Sequence, residues 1–174
     1  MVAAVNDTGR PASLLRGLPP AIHRSARVLI LGSFPSAASL AAGQYYAHPR
    51  NHFWPLLGAL LGAPLARVGY ARRLATLREQ RIGLWDSIVC CSRRGSADAA
   101  IRDAELAEIG YVRWRAPSLA LVCFNGKTAA RAASFWRDAG YFTRVLPSSS
   151  PAYTLPFAAK LVGWREALGG ALDC

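Results

Sequence analysis

The residues best suited to chemistry fall in two neighbouring stretches of the first third of the chain. Residues 32–36 read Gly-Ser-Phe-Pro-Ser, and residues 45–54 read Tyr-Tyr-Ala-His-Pro-Arg-Asn-His-Phe-Trp. A glycine and a proline directly after an apolar run force a tight loop, which can bring backbone N–H groups close to a ligand. Tyr46 offers an aromatic face on which a planar base can stack, and Asn51 offers an amide that can hold water or a polar edge.

Phe53 and Trp54 have a second interpretation, in which they start a core helix with Asn51 as its N-cap. We favour this interpretation for the two aromatic residues, because a helix start needs a buried anchor. For Tyr46 and Asn51 we favour a role in the site.

Three further polar segments each follow a predicted strand. Asp86 could cap the turn after its strand and Ser96 could be a helix N-cap, so a structural and a functional role stay open for both. Asn125-Gly126-Lys127 is a good turn, and a helix N-terminus with an adjacent lysine is a natural phosphate site. Pro147 and Pro151 restrict the backbone of the serine run between them, so we expect a rigid loop of small residues.

The order of elements predicts the fold class. Short apolar runs predict four strands, at residues 28–31, 82–85, 119–124 and 142–146. Helical patterns predict five helices, at residues 53–61, 70–80, 98–109, 127–138 and 157–172. Alternating strands and helices imply an α/β fold, a three-layer α/β/α sandwich with a central, mainly parallel four-stranded sheet. Its ligand site should lie beyond the carboxyl ends of the strands, where the polar segments are.

Length and composition predict a single domain. The chain has 174 residues, of which 52% are apolar, which is enough for one core. We expect residues 1–24, with their glycines and prolines, to form a loosely structured leader before a single domain of residues 25–174. No apolar run approaches the roughly 20 residues that span a bilayer, and the first residues do not resemble a signal peptide, so we expect a cytoplasmic protein.

The charge and the cysteine spacing indicate which classes of partner and ligand the protein can bind. The net charge is +11 and the pI about 10.4, which indicates a polyanionic partner such as nucleic acid, although a well-solvated basic surface would also account for it. Membrane binding is disfavoured because no predicted helix combines a basic face with a broad aromatic one. The cysteines form no metal-binding spacing, so neither a metal nor a cofactor is expected. They are Cys90, Cys91, Cys123 and Cys174.

The first motif resembles that of the uracil-DNA glycosylase superfamily. Mismatch-specific uracil glycosylases carry GINPG followed by FAHPANRFW at a similar spacing. The combination GSFPS and YYAHPRNHFW is more similar to the hypoxanthine-DNA glycosylase family, which lacks the loop asparagine. Phe34 stands at that loop position here, and the resemblance therefore implies that Asn51 is the catalytic residue that positions water.

Later segments extend the resemblance from Arg27 to Leu168. Residues 84–86 with 94–98 resemble the family's second strand and following loop, and residues 124–127 resemble the loop after its third strand. Residues 146–152, Leu-Pro-Ser-Ser-Ser-Pro-Ala, resemble its final motif, a serine-proline loop that pinches the DNA backbone and enters the minor groove. This motif lacks the histidine or asparagine of other branches.

The resemblance implies roles for the site residues. The target base would be flipped out of double-stranded DNA, and water would hydrolyse its glycosidic bond without a metal ion. The protein would act as a monomer. Independently of the resemblance, hydrogen-bond chemistry suggests that Asp86, if ionised, could accept the N1–H of hypoxanthine, a donor that adenine lacks. The implied base-binding residues are Gly32, Ser33, Phe34, Tyr46 and Asp86. The implied DNA-binding residues are His48, Asn125, Gly126, Lys127, Ser148, Ser149 and Ser150.

Two other functions stay open at this point. A uracil or broad deaminated-base glycosylase would need only small changes in the pocket. A non-catalytic binder of damaged DNA or RNA would fit the charge and the missing loop asparagine.

Overall fold

The computed structural model describes residues 14–93 and 97–172. Within these residues the strands are β1 (Leu14–Arg16), β2 (Val28–Gly32), β3 (Ile82–Asp86), β4 (Ile88–Ser92), β5 (Arg102–Leu106), β6 (Leu121–Asn125) and β7 (Phe142–Leu146). The α-helices in the same part of the chain are α1 (Ala37–Ala42), α2 (Phe53–Leu61), α3 (Tyr70–Glu79), α4 (Ile109–Arg115), α5 (Ala133–Asp138) and α6 (Phe157–Leu172).

The central sheet has four parallel strands in the order β3-β2-β6-β7. β2 and β3 are buried throughout, because both faces of the sheet are covered by helices. All four strands lie where the apolar runs predict them, so the predicted parallel sheet is confirmed.

Two apolar cores lie on opposite faces of this sheet. Leu29 and Leu31 of β2 pack in a cluster with Val112 of α4 and Trp136 of α5. The alternate residues Val28 and Ile30 pack in a second cluster, whose helical members come from α2, α3 and α6. This alternation follows from the period of two along a strand. The predicted three-layer α/β/α sandwich is therefore confirmed.

The predicted helix at residues 98–109 is wrong. A short 3₁₀ turn at Asp98–Ala100 leads into β5, and the helix α4 starts only at Ile109. β5 pairs with β4, and β4 with β1, in a second, antiparallel sheet. All five residues of β5 are exposed, so its sequence carries no apolar alternation that would distinguish a strand.

The predicted helix at residues 127–138 begins later than expected. A 3₁₀ turn covers Ala129–Ala132, and α5 follows with only six residues. A 3₁₀ turn places residues three apart on the same side, and here it buries Ala129 and Ala132 together. The Asn125-Gly126-Lys127 turn is therefore not followed directly by an α-helix, which removes the helix-terminus argument for a phosphate site there.

The expectation of little structure before residue 25 is wrong for residues 14–24, whereas residues 1–13 lie outside the described range. Gly17 N–H donates to Val89 O at 2.8 Å, and Ala21 exchanges both backbone hydrogen bonds with Leu84. Ile22 is buried against the sheet. The segment satisfies backbone groups at the edges of β3 and β4 that would otherwise be unpaired.

The helices of the described ranges, 14–93 and 97–172, include none that is long and apolar enough to cross a membrane.

Candidate active site

Three parallel strands end at one cavity. In the register of the sheet the last residue of β2, Gly32, lies beside the last residue of β3, Asp86, and β6 ends with Asn125 next to them. The cavity has a volume of about 450 Å³, within the range of about 300–1,000 Å³ typical of small-molecule sites. The predicted site residues that line it are Gly32, Ser33, Phe34, Tyr46, Asn51, Asp86, Asn125, Ser148, Ser149 and Ser150. His48, Gly126 and Lys127 lie outside its lining.

Gly32 allows two polar groups to approach the end of β2. A Cβ atom at this position would lie 2.3 Å from Asp86 Oδ1 and 3.2 Å from the Tyr46 hydroxyl. A distance of 2.3 Å is far inside van der Waals contact with a side chain that is itself buried. Gly32 therefore acts in the site through the space it leaves.

Asp86 is a buried carboxyl facing the cavity. Its side chain is 4% exposed, and Oδ2 has no hydrogen-bond partner among the described residues. Burial raises the pKa of Asp86 to about 8, with a further rise from the charge of Asp98 and an opposing effect from Arg93. This pKa makes Asp86 predominantly a neutral carboxylic acid at pH 7, so the ionised form considered in the sequence analysis is the minor one.

Tyr46 lies against the helix α2. Its ring stacks on Phe53 with a centroid distance of 3.7 Å and an interplanar angle of 10°, so one aromatic face is already covered. Its backbone has φ = 55°, a left-handed conformation uncommon for a tyrosine. The Tyr46 hydroxyl is buried without a hydrogen-bond partner in the described part of the chain, and this burial raises the pKa of Tyr46.

Asn51 combines the two roles that the sequence leaves open. Its Oδ1 accepts a hydrogen bond from the backbone N–H of Phe53 at 2.9 Å, an Asx turn that satisfies the first donor of α2 from one residue before the N-cap His52. Phe53 and Trp54 are buried core residues, as expected. Asn51 nevertheless lines the cavity, and its Nδ2 group makes no hydrogen bond to another residue of the described ranges. The amide nitrogen is therefore the part of Asn51 that remains for a ligand or water.

The structure brings Asp98 and Arg93 to the site, although the sequence predicts no role for either. Asp98 lines the cavity, and both of its oxygens lie 2.8 Å from the Ser33 hydroxyl, which donates to them. Arg93 donates from Nη2 to Pro35 O at 2.6 Å and lies over the Phe34 ring. Together they connect the loop after β4 to residues 32–36. Nothing in the local sequence indicates this connection. Ser96, for which the sequence leaves a structural and a functional role open, lies outside the described residues.

The serine segment 148–150 is held by Asn125. The Asn125 Nδ2 donates to Ser149 Oγ at 2.8 Å, and Asn125 Oδ1 accepts from Ser149 N–H at 2.9 Å. Ser149 O also accepts from His52 N–H at 3.0 Å, and the Ser149 residue has no exposed surface. Asn125 and Ser149 were expected to contact DNA. In the structure their polar groups join the two loops, and the neighbouring Ser148 and Ser150 line the cavity beside them.

The remaining predicted DNA contacts lie outside the cavity. His48 is partly exposed, and its Nδ1 accepts the backbone N–H of Arg50 at 3.2 Å. Gly126 has φ = 97°, and a Cβ atom there would lie 2.8 Å from Ser148 Cβ, so this position favours glycine. Lys127 is exposed beside it.

No group of three or more histidine, cysteine or acidic side chains within residues 14–93 and 97–172 is placed to hold a metal ion. The fold and site define an α/β protein with a polar cavity at the carboxyl edge of a parallel sheet.

Comparison with known proteins gives the family. The family model of the uracil DNA glycosylase superfamily matches residues 19–167, and the chain belongs to that superfamily. The curated relatives include a protein named hypoxanthine DNA glycosylase from Methanosarcina barkeri, 40% identical over 87% of this chain and 96% of its own length. A protein of the same name from Methanosarcina acetivorans is 43% identical over 79% of this chain and 87% of its own length.

A solved structure supports the same assignment. The chain is similar to a solution NMR structure of a candidate uracil DNA glycosylase from Methanosarcina acetivorans, with a TM-score of 0.78 and 38% identity. The match covers 89% of this chain and 99% of that one.

Proposed function

We propose that the protein is a monofunctional DNA glycosylase of base excision repair that removes a deaminated base, with hypoxanthine preferred, from double-stranded DNA. The observation that carries the proposal is the cavity shared by Asn51, Asp86 and Tyr46 at the carboxyl edge of the sheet. Family membership gives the reaction class, and the names of the two curated relatives favour hypoxanthine.

The mechanism follows from the groups in the cavity. The damaged nucleotide is flipped out of the duplex and its base enters the cavity. Water, positioned by the Asn51 amide, attacks C1′ of the sugar while the bond between C1′ and the base breaks. The electron pair of that bond leaves with the base, and the proton that the water loses ends on the released base. Backbone N–H groups of Ser33 and Phe34 stabilise the charge that develops on the base, as oxyanion-hole donors do.

Asp86 recognises the base as a neutral acid. Its O–H can donate to O6 of hypoxanthine while its carbonyl oxygen accepts from N1–H, so one carboxyl pairs with both groups. Uracil presents the same pairing of a carbonyl with an adjacent N–H, which keeps a broader deaminated-base glycosylase as the second candidate. A neutral carboxyl can also pair with adenine in the reverse sense. Rejection of adenine therefore rests on extrusion, which costs more for a correctly paired base than for a mispaired one.

DNA as a partner and the monomeric state have separate support. The net charge of +11 suits a polyanion. We propose a monomer, because Asn51, Asp86 and Tyr46 of one chain already share the cavity. A DNA substrate also agrees with the cytoplasmic location expected from the sequence.

The deciding experiment measures base release from a duplex that contains one deoxyinosine, with the full chain and a chelator present. We expect release of hypoxanthine, and slower or no release from matched duplexes with deoxyuridine or deoxyadenosine at that position. Absence of release from every substrate would leave a non-catalytic binder as the better account. Loss of activity on chelation would refute the metal-free mechanism.

Asn51 variants test the assigned catalytic role. Asn51→Ala should lower turnover while DNA affinity stays nearly unchanged, because a water-positioning amide acts mainly in the transition state. It should also cost about 1 kcal/mol of stability through the lost hydrogen bond to the Phe53 N–H. Asn51→Ser is the matched control, because a serine hydroxyl can accept the same N–H but lacks the amide. It should restore stability without restoring turnover, whereas recovery of both would reduce Asn51 to a structural residue.

A further inference from the structure

Lys160 is a buried cation that the sequence does not mark out. It lies in the first turn of α6 and has no exposed surface. Its ammonium donates to Ser150 O at 3.2 Å and lies 5.3 Å from the centroid of the Tyr153 ring. Within the described ranges no carboxylate forms an ion pair with it, so a carbonyl and an aromatic face are its counterparts.

The same face of α6 holds the other end of the loop. Trp164 Nε1–H donates to Pro147 O at 2.8 Å. A Cβ atom at Gly163 would lie 2.7 Å from Pro147 Cγ, so the proline ring packs directly on the helix there. Positions 160, 163 and 164 share one helical face. The helix therefore contacts the loop at both Pro147 and Ser150.

The loop held in this way forms one wall of the cavity. Residues 148–150, Ala152 and Tyr153 all line it. The carbonyl that Lys160 binds also accepts the Tyr153 N–H at 3.1 Å, so the two hydrogen bonds share one acceptor. Lys160 itself does not line the cavity and cannot touch a base bound there.

Stability alone does not account for a lysine at this position. A buried charge carries a desolvation penalty, and burial lowers the pKa of Lys160. An apolar side chain of similar length, such as methionine, would fill the same volume without that penalty. What methionine lacks is the donor that fixes the Ser150 carbonyl.

We propose that Lys160 is a positioning residue for duplex DNA: through Ser150 and Tyr153 its ammonium holds the serine loop in the shape that keeps a target base extruded. This rests on the proposed glycosylase function. The loop matters where a base must be taken out of a stacked helix, and matters less for a single strand, whose bases need no extrusion from a duplex. The effect of Lys160 is therefore on the ratio of duplex to single-strand activity.

The test compares Lys160→Met with Arg165→Met in the full chain. Arg165 is exposed on the same helix, so the control removes one positive charge without touching the loop. For Lys160→Met we expect a melting temperature no lower than that of the wild type. We also expect the ratio of duplex to single-strand excision to fall roughly tenfold, since small misplacements of a site element cost that much or more. Arg165→Met should leave the ratio unchanged.

Three results would overturn the proposal. An unchanged ratio is the first, and an equal loss on both substrates together with a lower melting temperature is the second. The third concerns the slope of log duplex affinity against log salt concentration. If this slope were shallower by about one unit in Lys160→Met than in Arg165→Met, Lys160 would contact a phosphate directly.

A measurement that does not depend on catalysis distinguishes failure of the Lys160 proposal from failure of the proposed glycosylase function. Hydrogen exchange of the Tyr153 amide should be faster in Lys160→Met than in Arg165→Met, since the shared carbonyl is released. If the wild type excises no base, the glycosylase proposal fails. The role of Lys160 is then tested by that exchange rate and by the affinity for a duplex with an abasic-site analogue. If Lys160→Met changes neither quantity, the positioning role is refuted.

Discussion

At the scale of single residues, the Asp86 carboxyl connects the fold to the chemistry. The parallel register puts it beside Gly32, where the missing Cβ admits it to the cavity. Its burial favours the neutral form, because a charge would lose its hydration there. The proton that Asp86 keeps at neutral pH is the one proposed to bind the base carbonyl.

The first prediction concerns the pH dependence of excision. Ionised Asp86 would lose its donor and repel the negative charge developing on the leaving base, so activity should fall by up to tenfold per pH unit above about 8. In Asp86→Asn the side-chain amide keeps a donor and an acceptor without titrating. The wild-type decline should therefore be absent in the variant when single-turnover rates are measured across this range. An identical decline in both proteins would assign it to another group.

The second prediction concerns the pH dependence of stability. The pKa of Asp86 is about 8 in the folded state, against an ordinary value of 3.8. Between these values the unfolded chain releases the proton while the folded protein keeps it, so this residue makes stability fall as pH rises from about 4 to about 8. Asp86→Asn lacks this effect. Its melting temperature should match the wild type near pH 4 and exceed it increasingly towards pH 8, and a constant difference would show that Asp86 is not protonated in the fold.

At the scale of elements, local pattern decides what sequence can predict. The strands β2, β3 and β6 and the helices α2, α3 and α6 can be predicted, because each buries apolar residues at its own period. The strand β7 is also predicted from its sequence, although most of it is exposed. β5 is fully exposed and exists only through its pairing with β4, a contact that local sequence does not encode. The local sequence therefore predicts a helix at a position where the structure has a strand.

The candidate site follows the same division. Gly32, Asp86 and Asn125 are predictable because they end neighbouring parallel strands, and a parallel sheet brings such ends together. Asp98 and Lys160 are not predictable in this way. Asp98 lines the cavity and Lys160 binds the loop that forms its wall, but each belongs to an element whose position depends on tertiary packing. The buried state of Ser149 likewise depends on a partner 24 positions away.

The third prediction tests the junction between the loops after β6 and β7. Asn125→Ala leaves the buried N–H and hydroxyl of Ser149 without their partner, and each unsatisfied group costs about 1–3 kcal/mol. Denaturant unfolding should therefore show a loss of this order. Lys127→Ala, two residues along the same loop but exposed, is the control and should change stability little. Equal stability of the two variants would mean that the junction contributes nothing.

At the scale of the whole molecule, the positive charge is largely uncompensated within the protein. Twenty-one lysine and arginine residues face ten acidic ones, and the part of the chain that the structure describes holds one ion pair, Arg72 with Glu79 at 3.2 Å. Asp86 and Asp98, two of the acids, line the cavity. Most basic side chains therefore remain available to phosphates, which attract them without regard to sequence.

The fourth prediction assigns Lys127 to the DNA backbone. It is exposed, lies outside the cavity lining and follows the loop that holds Ser149, so it can contact a phosphate but not a bound base. Lys127→Ala should weaken binding of every duplex alike, and the slope of log affinity against log salt should become shallower by about 0.9 for one lost contact. Titrations at several salt concentrations, with duplexes containing deoxyinosine, deoxyuridine or no damage, would measure this. If the variant instead changed the preference between the two damaged bases at an unchanged slope, Lys127 would belong to the base pocket, and the loop after β6 would have to move towards the base on binding.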